Sequence, residues 1–257
     1  YCNHLPFYRQ SQMFAREDID ISRSTMTSWA GQSTKLLELL VNEIKKYILS
    51  STHIHGDDTT IKVLAPGLGR TKIGRLWVYV KDGRPHGDKD APAVCYYYSP
   101  DRKGERPEAH LENYKGVLHA DAYAGYDRLY PNKDNPDSKI SEAACWAHTR
   151  RKFYEVTVAN NNAIIATTVL EQMSDIYKIE ADIKGFDPAE RLKERQLKSK
   201  ILVEEFFKTI EKALAKLPKK GSTAKAIRYA LNNKGSSVFP GVVMRIPYTP
   251  SDQETIF

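Results

Sequence analysis

Residues 53–64, which read HIHGDDTTIKVL, decide the fold. Two adjacent carboxylates, Asp57 and Asp58, lie where a polar turn meets a β-prone run. Apolar and polar residues alternate along that run, which is typical of a half-buried strand. Residues 117–123, VLHADAY, repeat the design, because a short apolar run again ends in a histidine, a small residue and Asp121.

Two such strands, side by side in one sheet, would form a site for a divalent metal ion. Hard cations such as Mg²⁺ prefer carboxylate oxygens and keep open positions for phosphate. We therefore predict that Asp57 and Asp121 are metal ligands. His55 and His119 stand two residues before these aspartates, and strand alternation points each histidine to the side of its aspartate. Each histidine could orient a carboxylate, but we favour histidines that are simply satisfied at the sheet surface.

The composition indicates a basic protein with enough apolar residues for a core. The 257 residues carry a net charge of +7, and 41% of them are hydrophobic, which allows one large domain or two small ones. The sequence pI is about 9.1. An acidic partner is therefore expected, nucleic acid before an anionic membrane surface, although a basic protein without such a partner would have the same charge.

The cysteines and the apolar runs predict a cytoplasmic location. Cys2, Cys95 and Cys145 lie far apart, which argues against a disulfide framework and for a reducing compartment. No apolar run has the length of a membrane span, and no signal peptide is visible. The chain begins at Tyr1 without a methionine, so we expect a fragment or a processed piece.

Residues 1–50 are predicted to form a helical N-terminal segment. Two short helical patterns, 5–14 and 21–29, resemble a helix-turn-helix, and the second has a serine at its expected N-cap. Such a second helix can enter a DNA major groove, whereas the alternative is a helical hairpin that packs on the next domain. An amphipathic helix over 33–49 follows, and its leucines predict packing.

The pattern over 53–98 indicates three antiparallel strands joined by turns that contain glycine or proline. The aromatic residues of these strands could stack on bases, but they are more often core. The elements predicted next are a short helix at 107–113, a strand that ends at Asp121, a helical segment at 122–130, a strand at 140–145 and a basic helix from Trp146.

This order is that of a ribonuclease H-like α/β fold, a mixed sheet of three antiparallel and two further strands with flanking helices and a helical insertion. In that fold the first and the fourth strand each carry a metal-binding aspartate. We assign the core to residues 51–160, a helical extension of the core to 161–233, and a divergent tail to 234–257. A capped helix start is predicted at Asp187-Pro188 within the extension.

Several phrases closely resemble the insertion-sequence-66 family of bacterial transposases. They are Asp57-Asp58-Thr59, HADAYAGY at 119–126 and CWAHTRRKF at 145–153. HLPFYRQ at 4–10 and the helix with Arg23-Ser24-Thr25 are similar to the start of the family's catalytic region, so the match runs from about residue 1 to 233. The resemblance implies DDE-type transposition, in which element ends are cleaved and the free 3′-OH is joined to target DNA.

The resemblance makes Asp57 and Asp121 the first two catalytic carboxylates, which hold Mg²⁺ or Mn²⁺. Asp58 should point to the other face of its strand and at most support the ligands. The partners implied are DNA, as terminal repeats of the element and as target, a second copy of the chain, and accessory proteins of the same element. The implied location is the bacterial cytoplasm, at the nucleoid.

The phrase at 145–153 should lie beside the active centre. We predict nucleic-acid contacts by four basic residues: Arg23, Arg150, Arg151 and Lys152. The alternative is that Trp146 and Phe153 pack the helix while its basic residues face solvent. Cys145 and His148 could form half of a zinc site, but no second pair is well spaced to complete it.

The late part of the chain departs from the family pattern. The third carboxylate of the family is a glutamate in a phrase that pairs two asparagines with Glu-Arg, whereas Asn232-Asn233 is followed here by Lys234-Gly235-Ser236. Asp252 and Glu254 lack the pattern. We therefore expect a chain truncated or frameshifted near residue 234, with weak or absent strand transfer. The alternatives are a non-catalytic DNA-binding remnant and a ribonuclease H-like nuclease that acts on hybrid duplexes.

Overall fold

A computed structural model describes residues 3–84, 88–133, 135–160, 162–234, 238–239 and 242–243 of the chain. The contacts divide the chain into two compact units, Tyr1–Tyr47 and Ile48–Phe257. The first unit is helical, and the second combines a five-stranded sheet with helices.

The first unit contains α1 (Phe7–Arg16) and all but the last two residues of α2 (Arg23–Leu49). Ser22 caps α2, because its Oγ accepts a hydrogen bond from the backbone N–H of Thr25 at 3.1 Å. The prediction of separate helices at 21–29 and 33–49 is wrong, since α2 is one helix of 27 residues. Gly31 does not interrupt it, because a single glycine inside a helix costs only about 1 kcal/mol.

The leucines of α2 do not show the packing that their pattern predicts. Four of them are exposed in the structure: Leu36, Leu37, Leu39 and Leu40. Met26, near the start of the helix, is buried.

The second unit is built on a mixed five-stranded sheet. Its strands are β1 (His53–Val63), β2 (Lys72–Lys81), β3 (Ala93–Ser99), β4 (Gly116–Ala120) and β5 (Ile140–Ala144). Their order is β3-β2-β1-β4-β5. The pairs β1–β2 and β2–β3 are antiparallel, whereas β1–β4 and β4–β5 are parallel. The predicted meander and the two further strands are therefore present. The turn between β1 and β2 has positive φ at Gly67 and Gly69, a conformation that favours glycine.

One face of the sheet carries a layer of buried aromatic side chains. Trp77 and Tyr79 of β2 are fully buried, and the ring of Trp77 lies 6.1 Å from that of Tyr126. This face is where α3 (Glu105–His110) and a 3₁₀ helix (Ala124–Leu129) contribute their side chains. The core interpretation of the aromatic strands holds for Trp77 and Tyr79. Tyr96 and Tyr98 on β3 are instead exposed.

Five α-helices follow the sheet in the described ranges, and all of them except the third share one apolar core. They are α4 (Trp146–Ala159), α5 (Ile164–Asp182), α6 (Pro188–Glu194), α7 (Lys200–Leu214) and α8 (Ser222–Asn232), with a π-helical turn at Arg195–Ser199. Phe153, Met173, Phe206 and Ile227 belong to this core. The predicted helix start is confirmed, because Asp187 accepts the N–H groups of Ala189 and Glu190 and Pro188 is the first helical residue.

Most of the predicted tail, 234–257, lies outside the described residues. Its described part includes two short strands, β6 (Val238–Phe239) and β7 (Val242–Val243), which pair antiparallel.

Candidate active site

The register of β1 and β4 decides where the predicted metal ligands lie. His55 and His119 are partners in this parallel pair, and the centres of their rings are 5.0 Å apart. Asp57 and Asp121 each follow two residues later, so strand alternation puts both on the face of the histidines. Asp121 is the first residue after β4. Asp57 within β1 and Asp121 at the end of β4 thus stand at the same distance along the chain from the paired histidines.

Asp57 faces other ionisable groups. Burial raises its pKa above the usual range. The N–H of Asp58, which donates to Oδ1 of Asp57 at 2.8 Å, lowers the pKa, as does nearby His148. The negative charges of Asp121 and Asp58 raise it again. Asp57 therefore ionises less readily than a free aspartate, although a cation at the site would reverse that preference.

Asp58 has quite different surroundings, although it is the next residue. Only 1% of its side chain is exposed. Its Oδ2 accepts a hydrogen bond from Nη1 of Arg75 at 2.8 Å, and its Oδ1 accepts one from Nε of Arg102 at 2.9 Å. Asp58 lies opposite Trp77 in the antiparallel pair. It points to the other face, as predicted, and the two arginines neutralise it there.

Arg102 connects the two faces at the end of the sheet. Its Nη2 is 2.7 Å from Oδ1 of Asp58 and 3.3 Å from Oδ2 of Asp121. Its guanidinium carbon lies 3.9 Å from the centre of the Tyr123 ring. The other oxygen of Asp121, Oδ1, is buried and has no hydrogen-bond partner in the described part of the chain. Sequence reasoning missed Arg102, which lies in the loop after β3.

His148 and Cys145 complete the surroundings of the two carboxylates. Cys145 precedes α4 directly. Hydrogen bonding to the Cys145 side chain raises the pKa of His148, burial lowers it, and Asp121 and Asp57 raise it further. His148 is therefore protonated more readily than a free histidine, and it lies close enough to both aspartates for their charges to raise its pKa.

A complete zinc site is not present among the residues that the structure describes. They contain no group of three or more histidine, cysteine, aspartate or glutamate side chains placed to hold a metal ion. Cys145 and His148 thus lack a second ligand pair within these ranges, and Cys2 lies outside them.

The predicted nucleic-acid contacts fall in both units. Arg23 is the first residue of α2 and is exposed. On α4, Arg151 and Lys152 are exposed and Arg150 is partly exposed, with its guanidinium carbon 6.0 Å from the centre of the Tyr154 ring. The buried face of α4 consists of Trp146, Thr149, Phe153 and Val156. The helix therefore packs through one face and presents basic residues on another.

Comparison with known proteins identifies a family of similar sequences. A family profile described as "Transposase IS66 family" matches residues 1–238. The uncharacterized protein y4qI of Sinorhizobium fredii (strain NBRC 101917 / NGR234) is 35% identical over 236 residues, which is 91% of this chain. The uncharacterized protein y4hP of the same strain is 36% identical over 250 residues, or 92% of this chain. The chain spans 44% of the length of each of these relatives.

DDE transposases generally use a divalent metal ion, and two of the described side chains fit one. Asp57 offers carboxylate oxygens from β1, and Asp121 offers them from the end of the neighbouring β4. Oδ1 of Asp121 is a buried acceptor without a hydrogen-bond partner in these ranges, which is the kind of atom that a cation would satisfy. Mg²⁺ is commonly bound by one or two carboxylates together with water and substrate phosphates.

None of the helices in the described ranges is both long enough and apolar enough to cross a bilayer.

Proposed function

Because the chain belongs to the transposase IS66 family, we propose that it is an insertion-sequence transposase that cleaves element ends and joins them to target DNA. The observation that carries this proposal is the parallel register of His55 with His119. That register sets Asp57 and Asp121 at the same distance along the chain from the paired histidines, where one cation could contact both.

We also propose that the sheet is ribonuclease H-like. Its strand order is β3-β2-β1-β4-β5, with three strands in an antiparallel meander and two further strands parallel to the first. This is the arrangement that the order of elements in the sequence predicts. The first strand carries Asp57 and Asp121 directly follows the fourth strand, which supports the placement of the two metal-binding aspartates expected for that fold.

In this proposal Asp57 and Asp121 are the catalytic residues and hold Mg²⁺ or Mn²⁺. When bound, the cation would supply Lewis-acid stabilisation of phosphate oxygens and activation of water or a 3′-OH. His148, whose pKa is raised, lies near both carboxylates, which favour its protonated form. Arg150, Arg151 and Lys152 on the exposed part of α4 bind the phosphate backbone, and Arg23 contacts DNA from the N-terminal unit.

The 257-residue chain alone is proposed to be impaired in strand transfer. Asn232-Asn233 is not followed by the Glu-Arg phrase that supplies the third acid in the family. The second candidate, favoured by the same observation, is a DNA-binding transposase relative that does not catalyse transfer. In either case the proposed partners are the terminal repeats, target DNA, a second copy of the chain and accessory proteins of the element, at the nucleoid.

Cleavage of DNA that carries the ends of the encoding element tests the function. The full chain is incubated with this DNA and with Mg²⁺ or Mn²⁺, beside Asp57→Ala and Asp121→Ala. Asp175→Ala, which removes an exposed carboxylate of α5, serves as the matched control. Metal-dependent cleavage that both site variants lose, and the control keeps, would establish catalysis and contradict the impairment.

The second candidate predicts a different result in the same samples. The chain would bind the DNA without cleaving it, and the affinity would fall steeply with salt because counterions are released from the phosphates. Absence of both cleavage and salt-sensitive binding would refute the proposed function.

A further inference from the structure

Arg102 is a fixed positive charge beside the candidate metal ligand Asp121. Its Nη2 reaches Oδ2 of Asp121 at 3.3 Å, while its Nε and Nη2 hold Oδ1 of Asp58 at 2.9 and 2.7 Å. The side chain of Asp58 is 1% exposed, whereas that of Asp121 is 22% exposed. The buried carboxylate therefore anchors the guanidinium, and the more exposed one receives its remaining contact.

The loop between β3 and α3 holds the backbone of Arg102 in place. Asp101 accepts two hydrogen bonds from Arg106, both at 3.1 Å, and one from the N–H of Lys103 at 3.1 Å. The hydroxyl of Ser99 donates to the carbonyl of Asp101 at 2.5 Å. Both neighbours of Arg102 are thus tied into a local network, which restricts the direction of its side chain.

Tyr123 holds Arg102 through both its ring and its hydroxyl. The Tyr123 ring lies 3.9 Å from the guanidinium carbon, and its hydroxyl donates to the carbonyl of Arg102. Gly125 leaves the space for that ring, because a Cβ there would come within 2.0 Å of it. Because a carboxylate and a stacked ring already hold the guanidinium of Arg102, the contact with Asp121 costs little additional side-chain entropy.

Asp58 alone does not neutralise the arginines that contact it. Asp58 also pairs with Arg75 at 2.8 Å, so two guanidinium groups contact one buried carboxylate. The excess positive charge faces Asp121. A divalent cation that bound Asp121 would be repelled by this charge, whereas an anionic phosphate that arrived with the cation would be attracted by it.

We propose, on the basis of the proposed function, that Arg102 is a positioning residue that makes divalent-cation binding at Asp57 and Asp121 depend on a nucleic-acid phosphate. It holds Asp121 through Oδ2 and opposes the cation while no phosphate is present. A phosphodiester at the site offsets the guanidinium charge, so the cation and the nucleic acid bind with positive coupling.

Titration of the full chain with Mn²⁺, followed by electron paramagnetic resonance of the free ion, tests this role without measuring activity. Without DNA, Arg102→Gln is expected to bind Mn²⁺ about ten-fold more tightly than the wild type, because a fixed positive charge is removed beside the ligand. That factor corresponds to about 1.4 kcal/mol. A short DNA duplex should tighten Mn²⁺ binding in the wild type more than in Arg102→Gln.

Two further variants separate charge from structure. Arg102→Lys keeps the positive charge and is expected to bind Mn²⁺ like the wild type. Arg128→Gln removes an exposed arginine of the 3₁₀ helix, 3.6 Å from Glu108, and should also leave Mn²⁺ binding unchanged. In Arg102→Gln, Asp58 keeps its contact with Arg75, so the variant should fold, which circular dichroism checks.

Unchanged or weaker Mn²⁺ binding in Arg102→Gln would overturn the inference. So would a gain in Mn²⁺ affinity in Arg102→Lys as large as that in Arg102→Gln. The proposed function fails separately, if the Mn²⁺ that binds the wild type or Arg102→Gln is insensitive to Asp57→Asn and Asp121→Asn. Absence of specific Mn²⁺ binding in both the wild type and Arg102→Gln would overturn both.

Discussion

The two faces of β1 treat neighbouring aspartates in opposite ways. Asp58 is buried under the aromatic layer and bonded to Arg75 and Arg102. Asp57, on the other face, receives one backbone hydrogen bond and is surrounded by groups that include Asp121 and His148. The residue type is the same, and strand alternation alone assigns the two side chains to different environments.

The comparison separates a face of β1 where the carboxylate is paired with arginines from a face where it is not. A buried carboxylate with two guanidinium partners has its desolvation offset, so the face of Asp58 can form part of the packed structure. The face of Asp57 brings like charges together, which costs stability unless a cation is bound. Such uncompensated charge in a half-buried place is typical of functional sites.

Asp58→Asn should have the largest effect on stability. It keeps the shape of the side chain but removes the charge that pairs with Arg75 and Arg102, and breaking a buried ion pair costs about 3–5 kcal/mol. Both arginines are partly exposed, 27% and 34%, so we expect the lower end of that range. Urea unfolding at equilibrium, with the metal chelated, measures the change.

The matched variant for this measurement is Asp57→Asn, one residue away. It should not lose stability, because Asp57 has no arginine among its described partners. Equal destabilisation by the two variants would contradict the assignment of structural support to one face and of the reactive site to the other.

Trp77→Phe should have the next largest effect on stability, because it removes a hydrogen bond to Ser99 in the loop that holds Arg102. Nε1 of Trp77 donates to Oγ of Ser99 at 2.7 Å, and Ser99 in turn donates to the carbonyl of Asp101. Loss of a buried hydrogen bond that leaves a partner unsatisfied costs about 1–3 kcal/mol. Thermal unfolding of the variant measures this loss.

A double-mutant cycle with Ser99→Ala separates the hydrogen bond from the smaller ring. If the bond to Ser99 matters, the two substitutions together should cost less than the sum of their separate effects. Additive effects would mean that Trp77 stabilises this face through its ring volume alone.

The sequence was informative where local patterns determine structure. Alternation along 53–64 and 117–123 predicts two strands with Asp57 and Asp121 on corresponding faces, and the structure has both strands. The Asp187-Pro188 cap was also predictable, because its hydrogen bonds reach only two and three residues ahead. These features depend on neighbours that the local sequence contains.

The missed features depend on distant partners or on competing preferences. Arg102 contacts Asp58 and Asp121, which are 44 and 19 residues away, so no periodicity in its own loop could indicate its role. The patterns at 21–29 and 33–49 predicted two helices, whereas α2 is continuous through Gly31. The favourable residues on both sides of it outweigh the modest cost of one glycine.

Asp57→Asn should have the smallest effect, and its sign should be opposite to that of Asp58→Asn. The pKa of Asp57 is raised in the folded chain, so folding favours the protonated form. The stability from this preference is present below the pKa of the unfolded chain and is lost as the pH rises through the folded pKa. Asparagine cannot ionise, so the variant should be slightly more stable than the wild type at about pH 7.

The difference between the two proteins should vanish as the pH falls below the ordinary aspartate range, because Asp57 is then protonated in both states of the wild type. Thermal unfolding in the presence of a chelator, from about pH 3 to about pH 8, follows this convergence. Asp175→Asn changes an exposed carboxylate paired with Lys178 and should show no such gain at neutral pH. A loss of stability in Asp57→Asn at neutral pH would mean that Asp57, like Asp58, is held by stabilising contacts, and the contrast between the two faces of β1 would then fail.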